Sequence, residues 1–240
     1  MFYRSLFGFA MILPAVLKQR GFLTPWWRWH LSRSLLGTAG IFLHFFAISV
    51  LPLATAVTLN YTAPLFLTVL TLLVFRMRPG FGLLSGIMLG FIGVVFLLQP
   101  AMGRELILPS LLGLAGGLCG GLAFFSTREL GQRGEPPRRV VFYFTAVSTL
   151  ASGGWILLHD FRWPPLGSVP VLVGIGATAT LAQLAMTRAY REGHVLIVGS
   201  LSYSTVAFTS LLGIAAIDAV RASPQPTTLH VPTKPIENRH

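Results

Sequence analysis

The polar residues best suited to handling a solute sit in stretches too apolar for an aqueous surface. No charged residue lies between Arg33 and Arg76, and the middle of that gap reads LNYTAPLF, with Asn60, Tyr61, Thr62 and Pro64 in succession. In hydrocarbon an unpaired donor or acceptor is costly, so an amide and two hydroxyls there must face protein or a wetted cavity. Pro64 has no N–H, which removes the helical partner of the Asn60 carbonyl one turn earlier. A second cluster, Ser202, Tyr203 and Ser204 in LSYSTVAF, repeats this chemistry near the other end of the chain. Together the two clusters offer hydrogen bonds and aromatic faces to a small substrate. Each also has a plainer structural reading, in which the hydroxyls bond back to their own helix and Asn60 joins two helices. His44 is the one histidine deep within an apolar segment. It is a candidate for proton sensing or substrate binding, with a hydrogen-bonded structural histidine as the alternative.

Nothing in the sequence adds bond-breaking chemistry to this. Ser202 and Ser204 have no histidine motif beside them, and His159 with Asp160 is a lone loop pair, so no catalytic residue is expected. The single cysteine, Cys119, excludes an intramolecular disulfide and cannot build a thiolate metal site; neither a metal nor a cofactor is expected. All seven acidic residues fall at segment ends or in loops, which leaves no buried carboxylate relay. Two glycine ladders, Gly82–Gly86–Gly90 and Gly113–Gly117–Gly121, repeat every four residues. Such stripes let helices approach closely, and no Gly-Lys-Ser/Thr follows to suggest a phosphate loop.

The elements that must position these residues follow from hydropathy. Of the 240 residues 53% are hydrophobic and only 10% charged, too few charges to cover a soluble fold. Uncharged gaps of 42, 25 and 22 residues each reach the roughly 20 residues that a helix needs to cross a bilayer. These gaps and the prolines predict eight spans: 2–17, 34–51, 54–75, 80–99, 109–127, 140–158, 169–187 and 195–217, with a tight turn at Pro52. The start of the chain resembles a signal peptide in charge order, but Lys18 and Arg20 stand where a cleavage site needs small residues, so it is read as a span. The net charge of +11 is carried by short basic clusters between spans, which points to membrane topology rather than nucleic acid. One set of alternate loops holds 12 Lys and Arg and the other 2, placing the first set, with Trp26, Trp27 and Trp29, on the cytoplasmic side and both chain ends outside.

Sliding the chain by 142 positions brings Leu59 onto Leu201, Tyr61 onto Tyr203, Phe66 onto Phe208 and Thr62 onto Ser204. The copies lie five crossings apart and so point in opposite directions, the plan of transporters built from inverted repeats with a midplane site. Through LPLATAVTLNYTAPLF (51–66), GIMLGFIGVVFLLQP (86–100) and LSYSTVAFTSLLG (201–213), the chain resembles the EamA-type members of the drug/metabolite transporter superfamily over residues 1–214. The resemblance implies an all-α, polytopic transmembrane helical bundle of inverted five-helix repeats, with eight helices present of an expected ten. It divides the chain into a first repeat (1–100) lacking its first helix, a second (101–217) lacking its last, and a disordered polar tail (218–240). It also implies a bacterial inner-membrane carrier of a small-molecule substrate working by alternating access, with the lipid bilayer as its other partner and a homodimer left open. The residues carried into the substrate site are Asn60, Tyr61, Thr62, Pro64, Ser202, Tyr203, Ser204 and His44. Where the family often has a Glu after the Pro64 helix, this chain reads Phe75, Arg76, Met77 and Arg78. With a helix expected to be missing at each end, weak or absent transport is expected from this polypeptide alone; a scaffold or an inactive transporter fragment is the alternative expectation, and an intramembrane enzyme a more distant one.

Overall fold

The computed structural model describes residues 1–18, 24–75, 80–98, 106–158, 164–208 and 211. Among these the secondary structure is helical: α1 (Phe2–Leu17), α2 (Trp27–Val50), α3 (Leu53–Asn60), α4 (Ala63–Phe75), α5 (Phe81–Leu98), α6 (Ile107–Gln132), α7 (Pro137–Leu157), α8 (Val169–Glu192) and α9 (Val195–Leu201). Five segments are long and apolar enough to cross a membrane, α3 and α4 counting together as one.

The expected spans are recovered with corrections at their ends. Helix α2 starts at Trp27 rather than residue 34, and α6 and α8 run on to Gln132 and Glu192. Charged residues do not stop a helix where it leaves the hydrocarbon. They continue it, and here they pair along it: Arg133 with Glu129 at 2.8 Å and Arg188 with Glu192 at 3.1 Å. The third expected span is not one helix but two, α3 and α4, broken at Tyr61 and Thr62. The end of the eighth span, the Arg76–Arg78 departure, the His159–Asp160 pair and the polar tail lie outside the described residues.

Contacts group the chain into two units, residues 1–203 and residues 204–240. Within the first, α6 is the central element, packing against α2, α3, α4 and α8, while α1 lies across α7 and α8. The burial pattern inverts that of a soluble domain: Thr38, Thr55, Thr71, Thr127 and Ser148 are buried, whereas Phe81, Phe96, Leu150 and Leu157 are exposed. Many of the buried hydroxyls are satisfied by helix backbone or by a neighbouring helix. Thr71, Thr127, Thr145 and Thr180 each donate to the carbonyl four residues back, and Thr38 and Ser148 bond across helices at 2.7 Å. An exterior of leucine and phenylalanine is the surface that lipid solvates.

The glycine ladder on α6 does what its spacing implies. A Cβ on Gly121 would stand 2.8 Å from the Cβ of Phe66 and 2.9 Å from the Ala63 carbonyl oxygen, and one on Gly117 would stand 2.8 Å from the Leu59 carbonyl oxygen. The ladder on α5 is different: among the described residues a Cβ on Gly90 meets Tyr203, whereas one on Gly82 or Gly86 meets nothing within 4 Å. A four-residue period defines a helix face, but not whether another helix lies opposite.

The junction between α6 and α7 is fixed by charge and aromatics. The Arg133 guanidinium sits 5.0 Å from the Trp26 ring and 4.4 Å from that of Trp29, consistent with the interfacial belt expected there. Glu135 is buried and accepts hydrogen bonds from Thr24 and, at 2.8 Å, from Arg139.

Candidate functional site

Both copies of the repeated motif interrupt a helix, the second one residue earlier than the 142-position repeat would place it. Helix α3 ends at Asn60 and the helix resumes at Ala63; α9 ends at Leu201 and helical backbone resumes at 204. Each break tightens into three-residue hydrogen bonds: Thr62 N–H to the Leu59 carbonyl at 3.1 Å, and Tyr203 N–H to that of Ser200 at 3.2 Å. At each, a hydroxyl also donates to a carbonyl three residues back, Thr62 to Leu59 and Ser202 to Gly199, both at 2.6 Å. Pro64 occupies the first turn of α4, where its missing N–H costs no helical bond.

The breaks bring the two motifs together. The rings of Tyr61 and Tyr203 face each other with centroids 6.2 Å apart. Asn60 and Ser202, which the 142-residue repeat relates, both line one cavity of about 340 Å³. His44, Tyr61 and Pro64 line it too. Thr62 is buried with its hydroxyl committed to Leu59, against Gly117, and Tyr203 is buried beneath Gly90, so neither forms the cavity wall. Ser204 belongs to the other unit.

Three polar or charged lining residues were not among the expected site residues. Arg33 had been counted with the loops, yet it lies on α2, only 2% exposed, with its guanidinium 4.3 Å from the Phe144 ring centre and bonded to Gln183 Oε1 at 3.1 Å. Gln183 lies five residues before Arg188, and α8 continues more than two turns beyond it. Arg4, in the first turn of α1, also lines the cavity. A signal for Arg33 was present: Arg33, Gly37, Gly40 and His44 recur at helical spacing and share one face of α2. Among the described residues no cluster of three metal-ligating side chains occurs.

Comparison with known proteins bears on this site's setting. Residues 1–99 match the family model described as the EamA-like transporter family. The chain is 26% identical over 181 residues to the pseudopaline exporter CntI of Pseudomonas aeruginosa, covering 75% of this chain and 63% of that protein. It is 28% identical over 193 residues to a riboflavin transporter of Vibrio cholerae, covering 77% of this chain and 62% of that one. These matches support an EamA-type protein of the drug/metabolite transporter superfamily. The chain is therefore a multi-pass membrane protein. It spans about 63% of the length of these curated relatives. A solved crystal structure of another protein covers 93% of this EamA-type chain and 80% of its own with a TM-score of 0.77 at 23% identity, a likeness in fold.

Proposed function

We propose that this EamA-type chain forms the substrate path of a transporter that carries a small metabolite across the bacterial inner membrane by alternating access. Residues 1–100 and 101–217 act in this reading as the two inverted repeats, which rock about the cavity between them. The observation that carries it is the meeting of the related motifs: Asn60 and Ser202 line one cavity, and Tyr61 and Tyr203 touch above their helix breaks. Repeat-related residues converge in this way where an inverted pair shares a midplane site. The relatives named as exporter and transporter favour the same function over an enzymatic one.

In this account Asn60, Tyr61, Pro64, His44 and Ser202 contact the substrate, while Thr62 and Tyr203 hold the two breaks in shape. Ser204 is proposed to act with them as the counterpart of Thr62. Transport of a substrate panel into and out of vesicles tests this. Asn60→Ala is expected to reduce transport several-fold, whereas Ser110→Ala, at the start of α6 and away from the cavity, leaves it unchanged. Equal effects of the two substitutions would remove Asn60 from the site.

A further inference from the structure

We propose that the cavity selects an organic anion, whose carboxylate or phosphate is held by Arg33 and Arg4 and whose apolar body lies on the aromatic wall. This deepens the transport reading and rests on the same cavity. Both arginines line it, from α2 and α1. Arg33 is 2% exposed, and its partners are neutral: the Gln183 side chain at 3.1 Å and the Phe144 ring at 4.3 Å. Its Nε has no hydrogen-bond partner among the described residues.

The three described carboxylates are all engaged elsewhere. Glu129 pairs with Arg128 and Arg133, Glu135 with Arg139 and His30, and Glu192 with Arg188. Among the described residues, then, no carboxylate comes within 4.0 Å of Arg33 or Arg4. A buried cation without a counter-charge is costly, and Arg presents its donors in a planar fork that fits a carboxylate or phosphate in bidentate fashion. An incoming anion supplies the counter-charge that the described residues do not. Gly37 makes room for the group, because a Cβ there would collide with Arg33 Nη1. Phe124 and Phe144 add apolar, π-rich wall to the same cavity, which suits a substrate with a planar or hydrocarbon body beside its acid group.

The test is binding of three matched fluorescent probes to the purified chain in nanodiscs: 1-naphthoate, 1-naphthamide and 1-naphthylmethylammonium. Naphthoate is expected to bind at least about tenfold more tightly than either other probe. Arg33→Gln should erase that preference, Arg33→Lys should restore part of it, and Gly37→Ala, which keeps both charges but displaces the guanidinium, should weaken naphthoate alone. Should Arg33→Gln fail to fold, Gly37→Ala and Arg4→Gln carry the same test. Naphthamide binding as tightly as naphthoate, or a preference that survives Arg33→Gln and Gly37→Ala intact, overturns the anion assignment and leaves the cavity reading standing. No binding by any probe overturns both. Repeating the titration in phosphatidylglycerol discs separates two sources of the anion. Weakened naphthoate binding there identifies a lipid phosphate as a competing occupant of the same cationic site, and unchanged binding identifies a dissolved solute.

Discussion

Replacing Gly121 by Ala tests how closely α6 must approach the break in the Asn60 helix. The added Cβ would lie 2.8 Å from the Cβ of Phe66, 2.9 Å from the Ala63 carbonyl oxygen and 3.0 Å from the Leu67 nitrogen, against an ordinary contact of 3.4 Å or more. All three atoms belong to the helix frame, so no rotamer change relieves them. The two backbones must separate by roughly half an ångström, and overpacking of this kind costs about 1–3 kcal/mol. Gly86→Ala is the matched control, since it is also mid-helix but has nothing within 4 Å. The intrinsic benefit of Ala over Gly in a helix, about 1 kcal/mol, is common to both variants and cancels in their difference. Gly121→Ala is therefore expected to be less stable than Gly86→Ala by about 1–3 kcal/mol. Sodium dodecyl sulfate titration in mixed micelles, followed by the fluorescence of the five tryptophans, measures that difference. Coincident unfolding curves would refute the packing of α6 on α4 described above.

Three further outcomes are expected. Thr62→Val removes the 2.6 Å bond to the Leu59 carbonyl and should destabilise the chain by about 1 kcal/mol in the same titration. Tyr203→Phe should be neutral or stabilising by up to about 1 kcal/mol, because the buried Tyr203 hydroxyl has no partner among the described residues; a clear loss of stability would show that the hydroxyl is bonded. For Glu135, burial alone would raise the carboxyl pKa, but the hydrogen bonds from Thr24 and Arg139 and the charge of His30 outweigh it and hold the group below its ordinary value. A depressed folded-state pKa contributes stability that is present above the unfolded value and lost as pH falls through the folded one. Wild-type stability should therefore fall as pH drops below about 4, and Glu135→Gln should flatten that part of the profile.

The bundle was legible in the sequence because uncharged gaps of bilayer length leave a chain few alternatives to a helix across the membrane. The break itself was not read, since residues 54–75 were expected to form one helix and Pro64 only to free the Asn60 carbonyl, but the 142-residue repeat did relate Tyr203 to Tyr61. Arg33 was missed for a physical reason. Charge-gap counting assumes that a cation marks the end of a span, whereas here a neutral glutamine and a phenylalanine ring on other helices accept it inside. Those partners lie 150 and 111 positions away, and no local pattern reports them. Thr62 shows the converse limit: its type and position suggest the cavity, but its hydroxyl serves the break. Gly82 and Gly86 share the period of the α6 ladder and lack only its neighbour.

The central claim is that Asn60 lies in a cavity that opens alternately to the two faces of the membrane. It is tested most directly by placing a single cysteine there, Asn60→Cys with Cys119→Ser, and adding a membrane-impermeant maleimide to either face of oriented vesicles. Phe96→Cys in the same background, at a position 77% exposed on the lipid-facing side of α5, serves as the reference and should react from neither face. The account predicts that Asn60→Cys is labelled from both faces, each reaction slowed by a transported solute. Labelling from one face only, or from neither, would contradict it.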